Sequence, residues 1–108
     1  MTTKTLTPTK EPIVRASVTH ALKCWPEFFD EIAAGRKRHD LRRSRDRDFQ
    51  IGDQLLLREF EPVSQRYTSR EQLVAITYIT SAERRCALSE EALHPDFCIL
   101  SIVPVLVN

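Results

Sequence analysis

The feature that most constrains how this chain can fold is a short helix that ends at a glycine. Its apolar residues recur at the spacing of a single helical face, at Trp25, Phe28, Phe29, Ile32 and Ala33. Pro26 suits the first helical position, and Gly35 suits the left-handed position just after the last turn. The pattern therefore predicts a helix over residues 26–34 that cannot continue further.

The other apolar segments have the residue types or the period of strands. Residues 15–24 alternate, so that His20 and Lys23 are predicted to point to opposite faces of the first strand. The link over residues 61–71 shows no apolar pattern. Four more strands are predicted, at residues 37–43, 55–60, 72–81 and 97–107. One helical turn is predicted at residues 89–93. The prediction is an α+β fold, mostly β, with one main helix after the first strand.

The length and the distribution of apolar residues suggest one domain. A chain of 108 residues suits a single core, and its first 14 residues are rich in Thr, Lys and Pro. We therefore predict a flexible tail at residues 1–14 and a domain at residues 15–108. The polar N-terminus does not resemble a signal peptide, and no apolar run approaches the length of a membrane span. We expect a cytoplasmic protein with no membrane contact, and no pattern indicates its oligomeric state.

The chain offers no pattern for a metal or a cofactor. Cys24, Cys86 and Cys98 lack the spacing of metal ligands, and they are expected to be free thiols in a reducing compartment. Only two glycines are present, so neither a P-loop nor a dinucleotide-binding fingerprint can form. We expect no bound metal and no cofactor.

Basic residues concentrate in one segment of a nearly neutral chain. The formal net charge is +1, yet residues 36–47 contain seven Arg or Lys residues against two Asp residues. Such a segment is a candidate binding surface for an anionic ligand. The alternative interpretation is a solvated charged strand and loop, which is the role of most charge runs.

The same segment carries a resemblance to a known family. The sequence GRKRHDLR at residues 35–42 resembles the Gly-x-Lys-x-x-Glu-x-Arg signature of the activating-signal-cointegrator homology (ASCH) domain, in the PUA-like superfamily of small β-barrels. The wider pattern is similar to a small bacterial and phage subfamily of unknown function, from about His20 to Ile102. The further matching residues are His20, Leu22-Lys23, Trp25-Pro26, Phe28-Phe29, Asp46 to Phe49, Ile51 to Asp53, Leu55 to Glu59 and Tyr67-Thr68. The resemblance implies a small PUA-like β-barrel.

The sequence departs from that pattern at three positions, of which Asp40 bears on any catalysis, whereas Ser69 and Asp96, the latter at a position where a Gly is common, touch turns and matter less. Asp40 stands where the signature has Glu, so its carboxylate reaches less far by one methylene. Ser69 stands where the subfamily usually has Gly.

The resemblance also implies a binding cleft between the strands and the first helix, which in relatives takes RNA or a nucleotide-sized ligand. Lys23, Lys37 and Arg42 are then candidate cations for phosphate, and Asp40 is a candidate acceptor for a base or a ribose. Asp40 and Arg42 share a face of a regular strand, whereas Lys37 points the other way unless it lies in the turn before the strand. RNA or a nucleotide is the expected partner.

Two further candidate ligand-binding residues have competing structural roles. Trp25 can stack on a base, but its register in the helix predicts a mostly buried core position. Arg47 can reach a phosphate, but the alternating charges of residues 45–48 can instead pin the loop through internal ion pairs.

Two alternative functions remain open. An enzyme would use Lys37 and Asp40 as catalytic residues, either as a small hydrolase of acylated nucleosides or as a ribonuclease. Hydrolases of that kind in this superfamily use a Lys, a hydroxyl residue at the position of the signature Glu, and a Glu elsewhere; Asp40 replaces that hydroxyl. The other alternative is a protein-interaction domain that uses the outer face of the helix.

Overall fold

The computed structural model of this protein describes residues 15–106, and these form an α+β fold that is mostly β, as predicted. The elements in chain order are β1 (Thr19–Cys24), α1 (Pro26–Ala33), β2 (His39–Arg43), β3 (Gln54–Glu61), β4 (Arg66–Thr80), α2 (Ser89–Ala92) and β5 (Phe97–Pro104). The predicted tail at residues 1–14 lies outside the described residues. Neither helix within residues 15–106 has the length and apolar character needed to cross a membrane.

The five strands form one curled sheet, a half-barrel, in the order β1-β3-β4-β5-β2. β1 pairs with β3 in parallel, and the other three pairs are antiparallel. β1 and β2 are therefore the two edges of the sheet, although they are consecutive strands in the chain. The eight-residue helix α1 and its flanking turns connect them. This short connection keeps the end of one edge strand within reach of the other edge.

One face of each strand supplies the core. Every second residue of β1 is buried, and the same alternation runs through most of β3 and β5. Phe29 and Ile32 of α1 join the same apolar cluster. Leu55, Leu57 and Leu100 have no exposed surface, and full burial of such a side chain contributes about 1.5–3 kcal/mol. Phe29 and Ile32 are therefore the two side chains that the helix buries, and its other apolar side chains stay at least partly exposed.

β4 is longer than predicted, because it includes most of the segment expected to be a link. Residues 66–71 belong to this strand and pair with the end of β3, but all of their side chains are exposed. A two-stranded ribbon with both faces in solvent does not need apolar residues at every second position. A prediction based on the spacing of apolar residues therefore misses it.

A bulge in β4 joins this ribbon to the helix. Ser69 has a φ of +79°, in the left-handed region that favours glycine, and the pairing of β3 with β4 shifts register here. The buried Glu59 accepts hydrogen bonds from Thr68 Oγ1 at 2.5 Å and from Arg70 Nε at 2.9 Å. Arg70 also lies over the ring of Phe29, 4.6 Å from its centroid. A glycine at position 69 would suit this backbone.

The buried carboxylate of Asp53 fixes the segment before β1. It accepts two hydrogen bonds of 2.9 Å from Arg15 and lies 2.8 Å from Nε2 of His20, which is a buried core residue. Burial alone would raise the pKa of Asp53, but the hydrogen bonds from Arg15 and His20 outweigh it and lower the pKa. The backbone N–H of Val18 also donates to Asp53, at 3.1 Å. Side chains thus hold much of residues 15–18. The first backbone contact with β3 is the hydrogen bond from the N–H of Gln54 to the carbonyl of Val18 at 2.9 Å, and β1 begins at Thr19 and not at residue 15.

The strained backbone at Ser69 predicts that Ser69→Gly stabilises the protein. Glycine adopts a positive φ freely, whereas other residues there are strained, and the greater freedom of glycine in the unfolded chain offsets part of the gain. We expect the free energy of unfolding, measured by urea denaturation, to rise by about 1 kcal/mol. Ser69→Ala keeps the strain and is the control. An equal gain in the alanine variant, or a loss in the glycine variant, would contradict the assignment.

The contacts of Glu59 predict a loss of stability in acid. The hydrogen bonds from Arg70, followed by the one from Thr68, lower the pKa of Glu59 from 4.5 to about 2. Because the folded-state pKa lies below the unfolded-state value, the contribution is complete above pH 4.5 and is lost as the pH falls toward about 2.

We therefore expect Glu59→Gln to be less stable than the wild type at neutral pH, because Arg70 loses its charged partner. The difference in the free energy of unfolding should shrink as the pH falls through this range. Glu91→Gln, at an exposed position, is the control for loss of a surface carboxylate. A difference that stays constant with pH would rule out the role assigned to Glu59.

Candidate functional site

A hollow of about 450 Å³ opens where the end of β1, the start of α1 and β2 meet. We call it the basic hollow, and its lining residues are Lys23, Cys24, Trp25, Phe28, Lys37, His39, Asp40, Leu41 and Arg42. Five of the six predicted ligand-binding residues are among them, and Arg47 is not. Residues 15–106 contain only two lysines, and both line this hollow.

A turn after the helix directs Lys37 into the basic hollow. Gly35 has a φ of +81°, and the backbone N–H groups of Arg36 and Lys37 both donate to the carbonyl of Glu31 at 3.0 Å. β2 therefore begins at His39, two residues later than predicted. Lys37 lies in the turn and not on the strand, so strand alternation does not separate it from Asp40. Its Nζ atom is 3.2 Å from Nε2 of His39.

Asp40 and Arg42 form an ion pair on one face of β2, as their spacing predicts. The Nε atom of Arg42 donates to Oδ2 of Asp40 at 2.8 Å, and the side chains are 21% and 12% exposed. The Nη2 atom of the same guanidinium donates to the carbonyl of Lys23 at 2.8 Å. Because Lys23 belongs to β1, a single side chain neutralises Asp40 and joins the two edges of the sheet.

Three exposed apolar side chains surround the basic hollow. Trp25 is 49% exposed, Phe28 43% and Leu41 54%. The rings of Trp25 and Phe28 are stacked, with centroids 6.2 Å apart and planes 17° apart. The prediction that Trp25 lies mostly in the core is wrong. It precedes a helix that buries only Phe29 and Ile32, so the rest of the apolar face, Trp25 included, stays exposed.

Positive charge exceeds negative charge in the basic hollow. Three cations face one carboxylate there, and that carboxylate is already paired with Arg42. Within residues 15–106, neither Lys23 nor Lys37 forms a salt bridge with a carboxylate. The Nζ atom of Lys23 lies 4.3 Å from the ring centroid of Phe60, and that of Lys37 lies 5.6 Å from the centroid of Phe28. The two ammonium groups are therefore held against aromatic rings without being neutralised.

A comparison with protein families identifies the domain. The model of a family described as a domain of unknown function, DUF3850, matches residues 19–102, which is most of the chain. The chain belongs to this family. No match was found among curated proteins. The matched span contains every residue that lines the basic hollow of this DUF3850 domain.

Arg47 of the DUF3850 domain lies in a different place from the other predicted site residues. Its Nη2 atom donates to the carbonyl of Ala21 on β1 at 3.4 Å, and its Nη1 atom donates to the carbonyl of Asp46 at 3.2 Å. It lines a separate concavity of about 370 Å³, which we call the second hollow. The residues of the second hollow include Ser44, Arg45, Arg47, Asp48, Gln50, Ser81 and Glu83.

The basic hollow lacks groups that the hydrolase alternative would use, whereas the Lys, Asp and Arg side chains of the ribonuclease alternative are present. Neither a hydroxyl side chain nor a glutamate lines it. Burial raises the pKa of the Cys24 thiol to about 11, so this side chain is a poor nucleophile at neutral pH. No group of three or more His, Cys, Asp or Glu side chains in the described part of the chain is arranged to hold a metal ion.

Sequence reasoning did not select four residues that line the basic hollow. Phe28 has the spacing of the apolar helix face, which predicts a core position. His39 and Leu41 lie within the segment that resembles the ASCH signature but at variable positions of it. Cys24 ends β1 and is buried among apolar residues. Only the observed start of β2 and the short helix reveal that the four meet.

The Asp40–Arg42 pair predicts a strong coupling in a double-mutant cycle. We expect Asp40→Ala and Arg42→Ala to be coupled by about 1–3 kcal/mol in the free energy of unfolding, because each single change leaves a largely buried partner unpaired. The exposed pair Glu31–Arg36 is a matched control, with a similar N–O distance of 2.7 Å but side chains 46% and 68% exposed. Its coupling should stay below about 1 kcal/mol. Equal couplings for the two pairs would contradict the structural role of Arg42.

Proposed function

We propose that this domain is an ASCH module of the PUA-like superfamily and that it binds RNA or a nucleotide in the basic hollow. The observation that carries the proposal is the meeting of exposed aromatic rings with unneutralised cations in one hollow. The segment that resembles the ASCH signature, residues 35–42, supplies five of the residues in that lining.

The aromatic side of the hollow suits a nucleobase. The stacked rings of Trp25 and Phe28 remain about half exposed, although burial of such side chains is favourable. A flat base that stacks on them removes this surface from water, and such stacking contributes about 1–3 kcal/mol per base. Leu41 extends the same apolar surface on the strand side.

The cationic side of the hollow suits a phosphate. Lys23 and Lys37 have no carboxylate partner within the described residues, so a phosphate would be their first strong anionic partner. The guanidinium of Arg42 uses Nε and Nη2 for the protein and keeps Nη1 for a ligand. Asp40 binds Arg42 through Oδ2, which leaves Oδ1 to accept a hydrogen bond from a ribose hydroxyl or a base amino group.

Binding is expected to change the fluorescence of the protein directly, because Trp25 is its only tryptophan and lines the hollow. We expect quenching on titration with a short oligouridylate at low salt, with a fitted affinity that falls steeply as salt is added. Lys37→Ala should weaken binding about tenfold, because a charged hydrogen bond is lost. Phe28→Ala should weaken it by a similar factor through lost stacking.

Arg84→Ala is the matched control, since Arg84 is exposed and does not line the basic hollow. Its affinity should equal that of the wild type. Chromatography of the same mixtures, and of mixtures with acetylated cytidine, tests the alternatives: product that disappears in Lys37→Ala would indicate catalysis. No quenching by any of these compounds would contradict the proposal and favour a protein-interaction domain.

A further inference from the structure

We infer that the ligand is a single strand of RNA that continues from the basic hollow along the junction of β1 and β2 to the second hollow. This inference rests on the proposed function and names the form of the ligand: a chain of several nucleotides rather than one. It assigns a binding role to Arg47, which lies outside the basic hollow.

Two arginine side chains reach the free edge of β1, Arg42 from β2 and Arg47 from the loop that follows β2. Arg42 donates to the carbonyl of Lys23, and Arg47 donates to the carbonyl of Ala21. We call this junction the arginine seam. The two carbonyls are two residues apart on β1, so the guanidinium groups are spaced by roughly 6–7 Å along the edge. The seam therefore places one cation at the basic hollow and the next at the second hollow.

Each guanidinium of the arginine seam keeps donors for a ligand. Arginine has five N–H donors, and Arg42 and Arg47 each use two nitrogen atoms in contacts with the protein. Arg47 is exposed, and Arg42 is partly exposed. Their carbonyl contacts fix the groups in place, so a phosphate that passes over the seam meets oriented donors at little entropic cost.

The second hollow complements the basic hollow in chemistry. Two arginines and two carboxylates line it, so it carries no excess charge for a phosphate. It offers polar side chains instead, including Gln50 and Ser81. The Ser44 hydroxyl is buried beside the Cys98 thiol. Such a surface suits a base or a ribose, while the seam takes the phosphate that precedes it.

The arrangement of charge argues for a strand over a single nucleotide. A mononucleotide site gathers its cations around one phosphate position. Here Lys23, Lys37 and Arg42 lie at one end and Arg47 at the other, with the β1 edge between them. A groove with cations in a row and stacking or polar recesses along it is typical of single-strand binding.

The experiment compares uridine monophosphate with oligouridylates of about two to eight nucleotides, using the fluorescence of Trp25. We expect the affinity to rise with length and then level off once the second hollow is reached. Arg47→Ala should reduce the affinity ratio of the longest oligomer to the monophosphate about tenfold. It should also reduce the salt dependence of oligomer binding: the slope of log K against the logarithm of the salt concentration should become less steep by about 0.7. Arg47→Lys keeps the charge and should restore that slope.

Arg66→Ala is the matched control, because Arg66 is exposed and lines neither hollow. It should leave the ratio and the slope at their wild-type values. The proposal of an RNA strand would be overturned if the affinity did not depend on oligomer length, or if Arg47→Ala did not change oligomer binding. The basic hollow would then remain a site for a single nucleotide. Failure of both the monophosphate and the oligomers to bind would overturn the proposed function itself.

Discussion

The guanidinium of Arg42 is the contact on which the site of this domain depends. It bonds Asp40 on its own strand and the carbonyl of Lys23 on the opposite edge of the sheet. The two contacts support each other, because a largely buried carboxylate without its partner would carry a high desolvation cost. Antiparallel pairing with β5 already positions β2 in the sheet, and Arg42 adds a bond across the opening between the two free edges. The basic hollow is thus shaped before any ligand arrives.

Arginine–carboxylate pairs of the same kind hold other parts of the fold in place. Three buried or nearly buried carboxylates each have an arginine partner: Asp40 with Arg42, Asp53 with Arg15, and Glu59 with Arg70. They hold one sheet edge, the segment before β1 and the bulged ribbon, respectively. Arginine suits this use because its planar group donates in several directions at once. The lysines of residues 15–106 have no such role, and both lie where a ligand would meet them.

The spacing of hydrophobic residues predicted the elements that pack against the core. It failed for the segments that lie outside the core. The stop at Gly35, the alternation of β1 and the shared face of Asp40 and Arg42 follow from local geometry, and each was predicted. Trp25 has the spacing of a buried residue, but spacing does not reveal that the helix buries only Phe29 and Ile32. Residues 66–71 have no buried face, so no period marks them as strand. Lys37 reaches the hollow through a turn whose length the sequence leaves open.

The surface of the basic hollow restricts the chemistry of the ligand more than its volume does. Exposed apolar surface at Trp25, Phe28 and Leu41 favours a flat or apolar partner, and an acidic peptide would leave much of it in water. The ammonium groups of Lys23 and Lys37 favour an anion, and an apolar helix from another protein would bury them without a partner. A ligand that carries a ring and a phosphate within a few ångströms of each other satisfies both demands. A nucleotide unit has this composition, which is why the proposed function rests on the two features together and on neither alone.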